Sequence, residues 1–533
     1  MSTQEKWALI SVYNKYGIVQ FAQTLVGLGW KILASGGTAK SLSGAGFPVK
    51  DVAELVGGGA ILKHRVVTLS RELHAGLLAD RNDPEQVAEM QKLGFPIIDM
   101  VVCDFYPLRD AIAKSDATVA SVVELTDIGG PTMVRSAAKG NRIVICRPED
   151  RQPVLDMLTE TGDIGHGNRE SLRARAEFEV ARYCMDSARF HGAGHFEGFF
   201  GEKAVALPKG ENGYQVPAVL YAEPGINNPF GLDKYQVLEG APLSFNNYAD
   251  IDRLHQTFAH ITAAWTRVGK SPHIAVGGKH GNPCGAAVGG DMREVVEKAA
   301  TGNCLSMFGG IMMCNFSLDE ELAHLMVSAG MNGGTQKFDS VIAPDFESGA
   351  IEVFKRPKGK CRVVKGPIGL GMIPPIDRKR FRQTEGGFLL QPDYSFVLNI
   401  GVGAGVWEHQ YYIDLLLAWA IAWTSNSNTI TIVKDRMLLG NGVGQQDRVG
   451  AAKLAVQRAR EAGHSDKLEG SSAASDSFFP QPDAPEVLID AGVKAIFSTS
   501  GSINDKLTQE LCAKRGVILV QRPDAEARGF FGH

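Results

Sequence analysis

Between Lys6 and Pro148 short apolar runs alternate with helix-length stretches, and that alternation leaves few folds open. The apolar runs are Trp7 to Val12, Lys31 to Ala34, Ile97 to Val102 and Arg142 to Cys146; helical patterns cover Tyr16 to Leu28 and Thr38 to Leu42. Such spacing predicts a parallel sheet with helices on both faces, an α/β fold. Residues Gly201 to Pro217, rich in Gly, Pro and charge, read as a linker between 1–200, with its core in 1–150, and 201–533. The second part holds at least two further α/β units, around Lys279 and Asn428. Gly470 to Ser477 reads as a mobile surface segment. Arg356 to Pro392 is a Gly/Pro/basic stretch without a readable period, and no short-period repeat is visible.

Composition excludes several function classes. With 533 residues, 44% hydrophobic, and a formal charge of −4, the chain has ample core and no global attraction for nucleic acid or an anionic membrane. A local basic pocket for a phosphorylated metabolite stays open. The apolar stretch Leu415 to Trp423, behind Asp414, is far shorter than the ~20 residues that span a bilayer, so it predicts a buried helix. Gln4, Glu5 and Lys6 lead straight into a strand without a signal-peptide pattern, which predicts a cytoplasmic protein. Eight scattered cysteines without a CxxC predict reduced thiols. His195, Glu197 and Pro283-Cys284 echo a zinc-deaminase signature, but Ala287 stands where the second cysteine belongs. No metal site is expected.

Lys279-His280-Gly281-Asn282-Pro283-Cys284-Gly285 places an ammonium and an imidazole together after the apolar run His273 to Val276 and before a helical stretch from Asp291 to Ala300. Strand ends of this kind carry sites in α/β proteins. A neighbouring cation favours a neutral imidazole, hence a base near pH 7. Ser35-Gly36-Gly37-Thr38 turns from a strand into a helix and exposes backbone N–H groups to an anion. It is not a GxGxxG, so no dinucleotide site is expected. Asp127-Ile128-Gly129-Gly130-Pro131 opens another helix, with Arg135 and Lys139 four residues apart on one face.

These segments resemble the bifunctional family joining aminoimidazole carboxamide ribonucleotide (AICAR) transformylase to inosine monophosphate (IMP) cyclohydrolase. The resemblance runs nearly end to end and includes ISVYNKYGIV, ASGGTAK, TDIGGPTMVRSAAK, LSFNNYADID, FGGIM, VIAPDF, GNGVGQQDR, SDSFFPQPD and SGSIND in the family's order. It implies a methylglyoxal-synthase-like N-terminal domain followed by paired cytidine-deaminase-like α/β subdomains. It also implies small-molecule substrates, 10-formyltetrahydrofolate as cosubstrate and a homodimer.

For formyl transfer, the resemblance makes His280 the base and Lys279 its tuning partner and proton donor to the departing folate nitrogen. Asn428 is the amide that stabilises developing charge. Arg448, Asn246, Asn247 and Tyr221 match nucleotide contacts, Asp339 the acid on the pterin, Phe478 and Pro480 the walls for the flat rings, and Arg528 a phosphate clamp. One departure falls at Leu220-Tyr221-Ala222-Glu223-Pro224-Gly225, where the family carries a phosphate-binding arginine at the place of Leu220.

For ring closure, the resemblance assigns Ser11, Lys15, Ser35, Gly36, Gly37, Thr38, Arg65 and Thr68 to the nucleotide and Asp127, Lys139 and Tyr106 to proton transfer. Here too the pattern departs: Val67 replaces a lysine, Ser70 a histidine, and Asp104 an asparagine, which weakens a pocket for negative charge. Three readings remain open: a bifunctional enzyme, a transformylase with an impaired cyclohydrolase domain, and a non-catalytic nucleotide or folate binder. The complete Lys279, His280 and Asn428 set weighs against the last.

Overall fold

A computed structural model describes residues 5–63, 65–224, 228–331, 333–372, 379–399 and 410–532. Gln4 and Gly225 lie outside them. The chain divides into two compact units, Met1–Phe200 and Gly201–His533.

The first unit is built on a parallel sheet of β1 (Lys6–Ser11), β2 (Trp30–Ala34), β3 (Val49–Asp51), β4 (Ile98–Cys103) and β5 (Ile143–Ile145), in the order β3-β2-β1-β4-β5. Ala8, Leu9 and Ile10 are all fully buried because β1 is covered on both faces, which is why its sequence is continuously apolar. Ala8 and Ile10 pack with Phe21 and Leu25 of the Ile18–Gly27 helix; Leu9 packs on the other side with Val134 and Leu77. From β1 the chain steps one way to β2 and β3 and the other way to β4 and β5. The crevice between β1 and β4 is therefore a topological switch point, open at the strands' carboxyl ends.

The second unit is one long mixed sheet. In spatial order its strands are Ile518–Pro523, Ala495–Ser500, Ser472–Ser475, Ile430–Lys434, Met437–Gly442, Asn282–Gly289, His273–Lys279, Ile311–Cys314, Ser340–Ala343, Arg362–Lys365 and Gln236–Glu239. Two halves repeat one plan. Each has a helix (Phe245–Arg267, Gln410–Ala422), an antiparallel hairpin (His273–Lys279 with Asn282–Gly289, Ile430–Lys434 with Met437–Gly442), another helix, and then parallel strands. The hairpins meet antiparallel at Ala287 and Met437, in the middle of the sheet. Leu415 to Trp423 is buried throughout, as its all-round apolar pattern requires. No helix among the described residues is long and apolar enough to cross a membrane.

Several expectations need correction. Gly470 to Ser477 is not a mobile surface segment: Ser472–Ser475 is a fully buried strand between Ile430–Lys434 and Ala495–Ser500. Its small side chains fit that crowded place, and the Ser472 hydroxyl donates to Tyr411 O at 3.2 Å. The supposed linker begins with Glu202–Leu207, which pairs antiparallel with Ala218–Ala222. The turn at the Gly/Asn/Pro cluster and the helix after it, Met292–Ala300, are both present, but the strand Asn282–Gly289 between them was not read. Within Arg356 to Pro392, Lys379–Thr384 and Gly387–Pro392 form a second exposed hairpin.

Candidate active sites

In the first unit a cavity of 860 Å³ opens at the carboxyl ends of β1, β2 and β4. Ser11 and Lys15 follow β1; Ser35, Gly36, Gly37 and Thr38 follow β2; Tyr106 follows β4. Ser35 sits at the N-cap of the Gly36–Gly44 helix, but its hydroxyl lies 2.9 Å from Ser11 Oγ instead of capping the helix. The first helical N–H groups are thus left facing the cavity. Thr38 ties helix to strand, its hydroxyl accepting Val12 N at 3.2 Å. The Lys15 ammonium donates to Val12 O and Tyr13 O, and burial lowers its pKa against the pull of Asp104.

Asp127 forms the opposite wall. Its Oδ1 accepts Gly130 N at 2.8 Å, at the start of the Gly129–Lys139 helix. Both glycines let the helix start pack closely on the site: a Cβ on Gly130 would meet Asp127 Oδ2 at 2.5 Å and one on Gly129 would meet Thr68 Oγ1 at 2.5 Å, so either would displace a side chain that lines the cavity. Burial raises the Asp127 pKa, the Gly130 and Tyr106 backbone groups hold it down, and Asp104 adds repulsion. The Tyr106 hydroxyl is pushed up by burial and by Asp127. Arg65 stands at the rim, paired with Glu124.

The family departures find local explanations. Ser70 caps the Arg71–Leu78 helix, accepting Leu73 N at 3.2 Å. Asp104 accepts from the backbone N–H groups of Tyr13 and Asn14 and faces Arg151 at 3.8 Å, so its charge is committed to the β1 loop. Lys139 is not brought into this cavity. It closes the far end of the Gly129–Lys139 helix, about 16 Å from its start at 1.5 Å per residue, and lines a second cavity of 680 Å³ that also touches Asp127. Sequence reasoning missed Tyr183, whose hydroxyl accepts Asp127 N at 2.8 Å and donates to Leu125 O at 3.3 Å. Nothing in its helical surroundings marks it.

In the second unit, His280 and Gly281 form the two-residue turn of the central hairpin, with φ of 53° and 72°. Lys279 Nζ donates to Phe308 O at 2.7 Å. Asp250, also missed, accepts Gly281 N at 2.6 Å; burial raises its pKa, against that bond and the nearby His280. Asn282 joins the turn to the next element: its Nδ2 donates to His280 O at 3.0 Å and its Oδ1 accepts Asn426 N at 2.9 Å. Two residues later Asn428 donates from Nδ2 to Gln445 O at 2.9 Å. The structure therefore links the Lys279–His280 turn to the loop carrying Asn428.

Beside that loop, Arg448 is buried and paired with Asp476, not solvated at a helix start; desolvation brings its pKa down to about 10. Asp476 also accepts Thr429 N at 3.2 Å. The Arg448 and Arg528 guanidiniums lie 5.9 and 5.0 Å from the Phe530 ring centre. Phe478 is half-buried and Pro480, whose carbonyl accepts from Asn504 at 2.8 Å, is exposed. A second group gathers around Asp339, which accepts Asn247 Nδ2 at 2.5 Å and pairs with Arg362 at 2.8 Å. Asn247 is buried, and its Oδ1 serves the capping box of the Phe245–Arg267 helix. Asn246 is exposed and donates to Glu211 O at 3.2 Å. Tyr221 is exposed, while Leu220 beside it packs on the core. Among the described residues no cluster of three or more His, Cys, Asp or Glu could hold a metal.

A two-unit α/β protein, with a cavity at the carboxyl ends of a parallel sheet in one unit and a Lys-His hairpin turn tied to a neighbouring loop in the other, is the class that the fold defines. Residues 17–132 match the MGS-like domain and residues 137–458 the AICARFT/IMPCHase bienzyme. The chain belongs to the AICARFT/IMPCHase bienzyme family. It is 34% identical over 529 residues to the bifunctional purine biosynthesis protein PurH of Bacillus cytotoxicus, covering 97% of this chain and 98% of that protein. The crystal structure of ForH matches at 31% identity over 36% of this chain and 100% of its own, with a TM-score of 0.33.

Proposed function

We propose that residues 201–533 transfer the formyl group of 10-formyltetrahydrofolate to the amine of AICAR, and that residues 1–200 close the product to IMP with loss of water. The observation that carries the reading is the Asn282 bridge, which holds the Lys279–His280 turn and the Asn428 loop together. The AICAR amine is a weak nucleophile, because its lone pair is delocalised into the ring and carboxamide. His280 removes its proton as it attacks the formyl carbon, Asn428 steadies the developing oxyanion, and Lys279 protonates the departing folate nitrogen. Arg448, Arg528, Phe478, Pro480, Asn246, Asn247, Asp339 and Tyr221 bind the two substrates.

In ring closure the formylated carboxamide nitrogen attacks the formyl carbon. The Gly36–Gly44 helix start and Lys15 hold the phosphate, and Asp127, Tyr106 and Lys139 move protons. Within one chain Asp127 lies just before the Gly129–Lys139 helix and Lys139 at its far end, in a cavity different from the one lined by Ser35 to Thr38. We assign Lys139 to the reaction of a second copy. A homodimer also suits the exposed 379–392 hairpin, where Phe381, Phe388, Leu389 and Leu390 are 38–65% exposed. A cytoplasmic location follows from the substrates.

The test is to incubate pure protein with AICAR and 10-formyltetrahydrofolate and to resolve formyl-AICAR from IMP. IMP above the protein-free control supports both activities. Formyl-AICAR alone assigns a transformylase, and no product leaves a binding protein. A correctly folded His280→Ala variant with near-native turnover would remove the base assignment.

A further inference from the structure

The two hairpins of the second unit are each held by a carboxylate on the helix before them, and only one of those carboxylates faces an imidazole. Asp250 accepts Gly281 N at 2.6 Å, and Asp414 accepts Asp435 N and Arg436 N in the same way. The grip is common to both hairpins and belongs to the fold. The difference lies in what surrounds it. Asp414 is fully buried beneath a turn of Asp435 and Arg436, whereas Asp250 is half-buried beside His280.

Asp250 enters no salt bridge among the described residues, so its charge is open to the ring next to it. Two cations stand near the turn, and both are engaged elsewhere. The Lys279 ammonium donates to Phe308 O at 2.7 Å. Arg253, one helical turn after Asp250, has its Cγ 3.0 Å from where a Cβ on Gly281 would lie, but its guanidinium donates to Thr424 O and Asn426 Oδ1 and rests on the Phe531 ring. Asp339 adds a repulsive charge to Asp250. Asn282 and Asn426, which tie the turn to the next loop, are neutral. Burial raises the Asp250 pKa, while the Gly281 bond, the His280 charge and the His280 backbone bring it down.

We propose that Asp250 is a positioning residue for formyl transfer, fixing the His280 backbone and setting a negative charge against the imidazolium that forms when His280 takes the amine proton. The inference rests on the formyl-transfer reading above. No bond to Asp250 forms or breaks: the proton passes from the AICAR amine to a ring nitrogen, and the carboxylate stays ionised. A carboxylate beside an imidazole favours its protonated form and so makes it a stronger base.

The experiment records the pH profile of kcat/KM for formyl transfer in the wild type and in Asp250→Asn, Asp250→Glu and Asp414→Asn. Asparagine keeps an oxygen for Gly281 N and removes the charge. In Asp250→Asn the acid limb is expected to move down by about one pH unit and kcat on the plateau to fall about tenfold, with both substrate KM values within about twofold of wild type. Asp250→Glu should return the limb most of the way, and Asp414→Asn should leave it in place. An acid limb unmoved in Asp250→Asn overturns the proposal even where kcat falls, because the acid would then serve only the fold; so does a limb that moves equally in Asp414→Asn. If Asp250→Asn does not fold, or if the wild type transfers no formyl group and the functional reading fails separately, NMR of the wild type decides the pair. The His280 ring resonance, identified by its loss in His280→Gln, should show a second inflection in the carboxylate range as Asp250 takes its proton, and should keep it in Asp339→Asn. A single inflection, or a second one that disappears in Asp339→Asn, sinks the assignment.

Discussion

Phe531, two residues from the chain's end, is expected to control formyl transfer without touching substrate. Its ring is 2% exposed and lies between two guanidiniums, Arg253 at 4.1 Å and Arg380 at 4.6 Å from the ring centre, with Tyr394 at 4.8 Å. Its carbonyl accepts Ser427 N at 3.0 Å, next to Asn428, and Arg253 donates to Thr424 O at 3.1 Å and Asn426 Oδ1 at 2.8 Å. The Phe531 segment thus latches the loop that carries Asn428, the amide proposed to hold the oxyanion. Removing a buried Phe side chain costs about 3–5 kcal/mol, and each lost cation–π contact about 0.5–2 kcal/mol. The two arginines would also face each other unshielded; Arg253 already has its pKa brought down to about 10 by burial and by Arg380. The expected effect is local release of the segment around Phe531, which the melting curve below separates from unfolding of the unit.

Even 3 kcal/mol shifts a docked-to-released ratio by roughly two powers of ten. Phe531→Ala is therefore expected to lower kcat for formyl transfer by up to about 10²-fold, with IMP formation from supplied formyl-AICAR within about twofold of wild type. Phe531→Leu should fall between, since it restores bulk but no π face. Both half-reactions are measured on one preparation, alongside a melting curve. Formyl transfer within about threefold of wild type would refute the latch, and a parallel loss of both activities would show general unfolding.

Three further outcomes follow from the geometry. Mixing Lys139→Met with Asp127→Asn, each expected to be nearly inactive alone in ring closure, should restore IMP formation through mixed dimers; no restoration after subunit exchange would place both residues in one chain's reaction. Burial holds the Asp127 pKa above its ordinary value of 3.8, so as a base it ionises late, and the acid limb of ring closure should lie above the usual carboxylate range. A pH profile flat down to 4 would exclude that role. Asp414, fully buried, has its pKa raised from 3.8 to about 6 by burial. The native state then binds more protons than the unfolded one between these values, and this group's contribution to stability should decline as pH rises through that window by roughly 3 kcal/mol. Urea melts of Asp414→Asn lacking any change in this slope would contradict it.

The sequence made the first unit legible because its strands are buried on both faces and so run continuously apolar. What it hid had physical causes. β3 is three residues of intermediate burial, too short to carry a period. Ser472–Ser475 reads as polar surface because serine and alanine are what a crowded central strand admits. The Ser35 to Thr38 turn that lines the first unit's cavity was readable, since its residues are contiguous. Asp250 and Tyr183 were not, because each earns its place by a contact across 31 and 56 residues. The separation of Asp127 from Lys139 follows from helix length but becomes evident only once the helix's ends are placed.

The repeated halves of the second unit share a hairpin plan, and one hairpin carries the residues proposed for formyl transfer. In both, an acid on the preceding helix grips a two-residue turn: Asp250 takes Gly281 N at 2.6 Å, and Asp414 takes Asp435 N and Arg436 N at 3.0 and 2.7 Å. Both turns hold non-glycine residues at positive φ, His280 at 53° and Asp435 and Arg436 at 52° and 62°. Asp is tolerant of that conformation, and Arg436 reaches Glu294 at 3.4 Å from it. Histidine shares that tolerance, and His280 lies close enough to Asp250 to lower the pKa of that carboxyl. Topology and the gripping acid are common to both hairpins. Only the His280 turn is tied through Asn282 to the Asn428 loop, and that tie separates the hairpin proposed for formyl transfer from its twin.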